Sequence, residues 1–214
     1  MARSFNGSSQ YLLASSAPAT GFPMTLAAWC RPTSMTGTRT VMAVGQTPAA
    51  TRHRNQIVML STGALRLAGV SSSTATVDTT ATASVNQWVH AAGVVTSLSG
   101  RTIYMNGGNA VTSTATIGAY NTFTEMGIGA QQSNTASTYE NFWAGDLAEV
   151  GVWNVALTAD EIASLGRGVT CDQVRPQSLV FYSPLIRNIA DMARGVTLTN
   201  VNTATVSNHP RVYA

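Results

Sequence analysis

Short apolar runs separated by turn-forming residues recur along the whole chain, and this pattern constrains the fold more than any other feature. Each run is bounded by glycine, proline or small polar residues. The clearest examples are residues 24–31, 41–45, 56–60, 64–70, 125–130 and 147–153. Runs of this length with turn signals between them are typical of β-strands. The pattern therefore predicts an all-β protein built from many short strands.

The composition supports the same prediction. Hydrophobic residues make up 44% of the 214 residues, whereas charged residues make up only 10%, against about a quarter in an average globular protein. Serine, threonine, asparagine and glycine supply the remaining polarity, and these residues suit short strands and tight turns. Since all-β sandwiches of about 200–250 residues form single domains, one domain over residues 1–214 is expected.

Two segments carry clear local signals for strand pairing. Residues 88–105 hold two strand-like runs joined by a turn, and Asn106-Gly107 follows them. That dipeptide accepts the positive φ angles of a tight hairpin. Residues 71–84 have no large apolar face, which predicts a twisted edge strand or a long loop. Asp78 is expected to help keep such an edge from pairing with another chain.

One short helix is expected near residues 158–166. Thr158 is a favourable N-cap, and Glu161 three residues later completes a capping box. Leu157 and Ile162 are placed to form a hydrophobic staple across this cap. A glycine at 166 or 168 ends the helix by accepting the left-handed conformation.

Charge and hydropathy point away from nucleic acid and membranes. All twelve basic residues are arginines and the formal net charge is +3, a field too weak to argue for nucleic acid. No apolar run reaches membrane-spanning length, and no signal-peptide pattern precedes the first strand-like run. The chain is therefore expected to fold in a cytoplasm, with no nucleic-acid or membrane partner.

The two cysteines lack the spacing of a metal site. Cys30 lies in an apolar strand-like run, which favours a buried free thiol. A disulfide between Cys30 and Cys171 stays open on the sequence alone.

The order of these segments resembles the laminin-G-like jelly rolls of the concanavalin A-like lectin/glucanase superfamily. The segments that carry the resemblance are residues 5–12, 25–29, 87–92, 103–107 and 142–162. The strongest of them reads FWAGDLAEVGVWN and runs into the helix signal. Each motif is weak alone, but five in the order of the family are specific. The resemblance implies a two-sheet antiparallel jelly-roll sandwich.

The C-terminal segment, residues 172–214, extends the resemblance. Its residues 176–185, PQSLVFYSPL, look like the segment that usually opens this fold. Placed last, the segment is expected to complete the sandwich in a permuted way or to contact a neighbouring subunit. This arrangement is similar to laminin-G-like proteins encoded by tailed bacteriophages.

The resemblance implies a non-enzymatic structural protein of the virion, assembled in the host cytoplasm. The role is capsid decoration or a tail or fibre component, and the sequence leaves these open. Its partners would be a major capsid or tail protein and further copies of itself, with a trimer as the expectation and a host glycan as an additional ligand. A soluble carbohydrate-binding module is the alternative, and a glucanase is a less favoured third reading.

The acidic residues argue against hydrolysis. Glucanases of this superfamily place their catalytic carboxylates two or four residues apart on one strand, where alternation puts them on one face. Asp146 and Glu149 are three residues apart, so a regular strand would point them to opposite faces. No local motif assembles a Ser-His-Asp or Cys-His arrangement. No catalytic residue is therefore assigned.

Metal and cofactor sites are not expected either. Asp146 and Glu149 form the only acid cluster together with Asp160 and Glu161, and the latter pair suits a helix N-terminus. His90 occupies a strand position where a satisfied structural role is favoured.

Two loop features are candidate contact sites. Arg52, His53 and Arg54 form a basic group between strands, interpreted as a solvated loop or a contact with an acidic partner. Tyr120 and Tyr139 lie in or beside Asn/Thr-rich loops, where an exposed ring with nearby amides would suit a sugar. Phe142 and Trp143 are more simply explained by core packing.

Overall fold

The computed structural model describes residues 1–46, 53–133 and 138–213. In these residues the strands are, in chain order, β1 (Ala2–Asn6), β2 (Tyr11–Ala14), β3 (Met24–Pro32), β4 (Arg39–Gly45), β5 (Arg54–Met59), β6 (Ala64–Val70), β7 (Thr74–Thr82), β8 (Val89–Val95), β9 (Arg101–Met105), β10 (Gly108–Ser113), β11 (Glu125–Ile128), β12 (Gln131–Gln132), β13 (Tyr139–Glu140), β14 (Ala144–Trp153), β15 (Leu179–Ser183), β16 (Leu198–Val201) and β17 (Thr205–Ser207). A helix, α1, spans Ala159–Gly166, and 3-10 turns span Cys171–Gln173 and Pro176–Ser178.

The strands form two large antiparallel sheets. The first sheet has the order β10-β9-β8-β3-β14-β1-β17, and β15 also pairs with β14. The second sheet has the order β16-β2-β11-β4-β5-β6-β7. The predicted two-sheet antiparallel jelly-roll sandwich is confirmed.

Two apolar clusters hold the layers together. The main core joins side chains from both sheets, among them Leu26, Leu67 and Met126. A second cluster lies on the other face of the first sheet, where Trp153 packs with Ile162 of the helix. Burying an aliphatic side chain such as that of Ile162 stabilises the folded state by about 1.5–3 kcal/mol. The first sheet is thus covered on both faces, by the second sheet and by the helix.

The local strand signals are confirmed. Asn106 and Gly107 have φ angles of 54° and 74° at the turn between β9 and β10. Within residues 71–84, β7 pairs with β6 and ends the order of the second sheet, which makes it an edge strand. Two nitrogens of Arg66 donate to the two carboxylate oxygens of Asp78, each at 2.7 Å. Asp78 therefore forms a bidentate ion pair with Arg66 on this edge.

The helix begins and ends as the sequence predicts. The Thr158 side chain accepts a hydrogen bond from Glu161 N, and Glu161 reaches back to Thr158 N to complete the capping box. Gly168 has a φ of 100° just beyond the helix. At its last residue the helix approaches the β9–β10 turn so closely that a Cβ on Gly166 would lie 2.4 Å from Gly107 Cα. Only glycine allows this contact.

The C-terminal segment adds strands to both sheets of its own chain. β15 pairs with the C-terminal half of β14 in the first sheet, and β1 pairs with the N-terminal half. β16 pairs with β2 in the second sheet, and β17 pairs with β1 in the first. Arg3 Nη1 donates to Ala204 O at 3.1 Å, which ties this segment to the first strand.

Cys30 and Cys171 are free, buried thiols. Cys30 belongs to the core between the sheets and Cys171 to the cluster under the helix, so the first sheet lies between them. Burial raises the pKa of both thiols. The expected buried thiol at Cys30 is confirmed. Separately, no helix in the described part of the chain has the length and apolar character needed to cross a bilayer.

His90 is a buried structural residue of β8, but its ring is not fully satisfied. The ring packs against Trp29 with centroids 5.5 Å apart, and Nδ1 has no hydrogen-bond partner. Burial lowers the pKa of His90 to about 3. The expectation of a structural role is confirmed, whereas the expectation of a satisfied ring is wrong at Nδ1.

Removing the helix cap tests the predicted start of α1. Thr158→Ala is expected to lower the free energy of unfolding by about 1 kcal/mol, because Glu161 N loses its acceptor. Urea denaturation monitored by fluorescence measures this loss. Ser164→Ala on the same helix leaves the cap intact and is the control. Equal stability of Thr158→Ala and the wild type would contradict the assignment.

Replacing His90 tests its low pKa. In the unfolded chain a histidine has a pKa of about 6.5. In the folded protein the pKa of His90 is lowered to about 3, so its ring stays neutral over most of this range. Stability is therefore lost as pH falls from 6.5 towards 3, by up to about 1.4 kcal/mol per pH unit. His90→Leu should show a shallower loss in urea denaturation between pH 7 and 4. Parallel pH profiles for both proteins would show that His90 titrates normally.

Candidate functional site

Asp146 and Glu149 share the outer face of β14, which corrects the prediction that they point to opposite faces. The register of β14 against β3 shifts after Ala148, and Glu149 has a φ of 51°. Because this bulge inserts a residue, Leu147 and Val150 both face the core between the sheets. Glu149 thus returns to the face that carries Asp146.

Although they share a face, the two carboxylates have different hydrogen-bond and ion-pair partners. Arg31 Nη1 lies 2.8 Å from Asp146 Oδ2. The hydroxyl of Tyr182 donates to Glu149 Oε2 at 2.6 Å. Burial and then the charge of Glu149 raise the pKa of Tyr182, which keeps this hydroxyl protonated. Each carboxylate is thereby held in its own contact.

Glu161 interacts with the N-cap residue of α1 and with an arginine in the segment that follows the helix. Arg175 Nε lies 2.7 Å from Glu161 Oε1, and Thr158 donates to Oε2. Although partial burial acts in the opposite direction, the hydrogen bonds from Thr158 and Arg175 lower the pKa of Glu161. Across the three described ranges, no group of three or more His, Cys, Asp or Glu side chains is placed to hold a metal ion.

The basic group predicted as a solvated loop is buried where the structure describes it. Arg52 lies outside the described residues. His53 is buried, and its Nδ1 accepts a hydrogen bond from Asn121 N at 2.5 Å. Arg54, the first residue of β5, is also buried, and its Nε donates to Gln56 Oε1. The solvated-loop interpretation is therefore wrong for His53 and Arg54.

Tyr120 packs at the end of the sandwich next to His53. Its hydroxyl donates to the buried Asn55 Oδ1 at 2.8 Å, and its ring contacts Phe22 and Phe123. Burial raises the pKa of Tyr120, and the nearby Arg101 only partly offsets this effect. These contacts give Tyr120 a structural role, although they do not test it as a contact residue.

The outer face of the second sheet carries a band of polar side chains. Cross-strand partners share a face of a sheet. The register places Glu125 of β11 opposite Gly45 of β4, and Gly45 opposite Arg54 of β5. Two positions along β4, Ala43 lies opposite Gln56. Small residues on β4 thus separate Glu125 from Arg54 and Gln56.

Glu125 is the centre of this band. Its Oε1 accepts hydrogen bonds from Gln132 Nε2 and, at 3.2 Å, from the hydroxyl of Tyr139. Both Glu125 and Gln132 are buried, and Gln132 Oε1 has no hydrogen-bond partner. On β5, Arg54 Nε donates to Gln56 Oε1 at 2.6 Å. An unused buried acceptor is rare in proteins, so Gln132 Oε1 is an unusual feature of this band.

An aromatic patch, Tyr11, Tyr139 and Phe142, adjoins this band. The rings of Tyr11 and Tyr139 stack with centroids 4.3 Å apart, and Phe142 lies 6.0 Å from Tyr11. All three side chains are half-buried. Burial and then the charge of Glu125 raise the pKa of Tyr11. The patch therefore offers partly exposed ring faces beside a carboxylate and an amide.

Of the predicted contact residues that the structure describes, Tyr139 lies in the aromatic patch and Arg54 in the adjoining polar band. Tyr11, Glu125 and Gln132 were missed, and Phe142 joins the patch instead of the core. Trp143 is fully buried, which confirms core packing there. The sequence signal that could have identified this site is the glutamine pair Gln131-Gln132 a few residues before Tyr139.

Comparisons with known proteins agree on the fold. A family model described as "Concanavalin A-like lectin/glucanases superfamily" matches residues 6–163. A heptameric SAP-like pentraxin from Limulus polyphemus is similar in structure, with a TM-score of 0.73 and 18% identity over 97% of this chain and 94% of that one. No curated protein matches this sequence.

Two carbohydrate-bound structures are also similar. The CBM40 of a Ruminococcus gnavus IT-sialidase, bound to alpha2,3 sialyllactose, has a TM-score of 0.59 and 12% identity over 78% of this chain and 98% of that one. Domain 4 of a GH43 extracellular arabinanase from Geobacillus stearothermophilus, in complex with arabinotriose, has a TM-score of 0.52 and 18% identity over 69% and 68%.

Proposed function

Because the chain belongs to the concanavalin A-like lectin/glucanases superfamily, we propose that it is a carbohydrate-binding module whose ligand contacts the aromatic patch. The observation that carries this proposal is the stacked pair Tyr11–Tyr139, half-exposed beside Glu125 and Gln132. Ligand sites combine apolar surface with a few placed polar groups. A pyranose ring needs that combination, since it has apolar C–H faces and a rim of hydroxyls.

The polar atoms near the patch match sugar hydroxyls. On the β12–β13 hairpin, the half-buried Glu140 carboxylate can accept a hydrogen bond from a sugar hydroxyl. Gln131 Nε2 donates to the same carboxylate at 3.1 Å. The Ruminococcus and Geobacillus structures, which contain bound oligosaccharides, support the assignment by likeness of fold.

The module is proposed to bind without catalysis. Asp146 is held by Arg31 and Glu149 by Tyr182, and both carboxylates are buried. A retaining glycosidase needs two carboxyl groups about 5 Å apart on either side of the scissile bond. Release of reducing sugar that is lost in Glu149→Gln would overturn this part of the proposal.

A glycan array probed with a multimerised sample tests sugar binding, and calorimetry on the strongest hit gives the affinity. Tyr11→Ala is expected to weaken binding roughly tenfold, which corresponds to about 1.4 kcal/mol, because the sugar loses its stacking surface. Tyr213→Ala is the matched control, since this tyrosine is exposed and lies on the C-terminal segment. No binding across the array at high protein concentration, or equal losses in both variants, would contradict the proposal.

A virion role is a finer proposal for the same module. It places the chain on a capsid or tail, assembled in the host cytoplasm with a major capsid or tail protein and with its own copies as a trimer. β16 and β17 support it, because these short strands end the two sheets and come from one segment. Val206 on β17 is half-exposed. Adjacent open edges are places where another subunit can pair.

Mass spectrometry of purified particles tests this role, and light scattering after size exclusion measures the oligomer. The expected results are the chain among the particle proteins and a mass of about three copies, as a closed cyclic assembly requires. Absence of the chain from the particles would refute the virion role. A monomer at high concentration would refute the self-association.

A further inference from the structure

A second cleft lies on the opposite side of the molecule from the aromatic patch, on the outer face of the first sheet. Its volume is about 320 Å³. Its lining includes Glu149, Thr170, Asp172, Tyr182, Ile186 and Met192. These residues come from β14, from the turn after α1 and from the segment around β15. None of them contributes to the aromatic patch.

The floor of this cleft is the carboxylate of Glu149. Its side chain is buried in a bulge with a left-handed backbone, a conformation that costs a non-glycine residue about 1 kcal/mol or more. Tyr182 donates to Oε2. Oε1 is buried and lies 3.1 Å from His209 Nε2. The fold therefore holds a buried carboxylate on a strained backbone, with Tyr182 at one oxygen and His209 beside the other.

His209 lies against the buried side of Glu149. Its Nδ1 lies 2.9 Å from Pro210 O, and its Nε2 lies 3.3 Å from Pro184 O and 3.1 Å from Glu149 Oε1. Asp172, the other acid in the lining, is exposed. No basic side chain in the described part of the chain pairs with Asp172. Its carboxylate is therefore the accessible negative charge of the cleft.

Thr170 supplies an independent sign of a missing ligand. It is 6% exposed, lines the cleft, and its Oγ1 has no hydrogen-bond partner. A buried hydroxyl without a partner costs about 1–3 kcal/mol. Thr170 Oγ1 therefore lines the cleft without a donor, and the exposed Asp172 carboxylate has only a long hydrogen bond, from Gln173 Nε2 at 3.4 Å.

The rim of the cleft is apolar and held in place. Met192 is 68% exposed and Ile186 is 39% exposed, both large for apolar side chains. Asp191 holds this rim by accepting hydrogen bonds from four backbone nitrogens, those of residues 182, 193, 194 and 196. Exposed methionines suit binding surfaces, because the thioether adapts to the partner. The exposure of Met192 is thus built into the fold.

We propose that this cleft binds a guanidinium group on an aliphatic stem, as presented by an arginine side chain of a partner protein. The stem lies against Met192 and Ile186, and the guanidinium donates to the Asp172 carboxylate and to Thr170 Oγ1. Arginine fits better than lysine, because its planar group has five donors in a fixed fork and keeps its charge when partly buried. This site does not depend on the carbohydrate proposal.

Titration with n-butylguanidinium tests the site, with the methyl signal of Met192 as the reporter. Samples carry ¹³C-methyl methionine, and the signal is assigned from its loss in Met192→Leu. The expected result is a saturable shift with n-butylguanidinium and none with n-butylurea, its neutral isostere. No shift of the Met192 signal, or equal shifts with both compounds, would overturn the proposal.

Substitutions then separate the charge from the hydroxyl. Asp172→Asn is expected to weaken binding about fivefold, as the loss of one partly exposed charge pair implies. Thr170→Val removes the open acceptor with little change of shape and is expected to weaken it as well. Asp160→Asn, an exposed acid on α1, is the matched control and leaves binding unchanged. Equal affinities of Asp172→Asn and Asp160→Asn would refute the site, whereas glycan binding by Asp172→Asn should persist.

Discussion

Strand β14 is buried along its whole length on both faces, and much of the structure depends on that arrangement. Its inner side chains join the core between the sheets, and its outer face lies under α1 and the C-terminal segment. Polar side chains on such a strand need partners, because an unpaired buried charge is strongly destabilising. Arg31 forms an ion pair with Asp146, Tyr182 donates a hydrogen bond to Glu149, and His209 lies 3.1 Å from Glu149. The C-terminal segment is therefore part of the electrostatics of β14.

The same layering separates two surfaces with different chemistry. The second sheet presents stacked rings over a buried carboxylate, with Tyr11 and Tyr139 half-exposed. The first sheet presents an acidic cleft with an apolar rim at Met192. A module with sugar contacts on one side and a protein contact on the other could join a glycan to an assembly. The two proposals meet at that point, although each has its own test.

Similarity to known structures supports the fold assignment, whereas the functional proposals rest on individual side chains. The pentraxin and the two carbohydrate-bound modules share under 20% identity with this chain. At that distance likeness of structure shows the fold alone. The proposed sugar contact therefore rests on the geometry around Glu125, and the proposed guanidinium contact rests on Asp172 and the unpartnered Thr170 hydroxyl.

Interactions between close neighbours in the chain could be predicted from the sequence alone. The capping box of Thr158 and Glu161 and the positive φ angles at Asn106-Gly107 need only a few adjacent residues, as do the short strands. Only the tertiary structure could place Tyr11 against Tyr139, because that contact depends on how β2, β11 and the β12–β13 hairpin meet. It also decided the side of β14 on which Glu149 lies. A bulge of one residue reverses a strand's facing, and the packing on both sides of the sheet selects where that bulge forms.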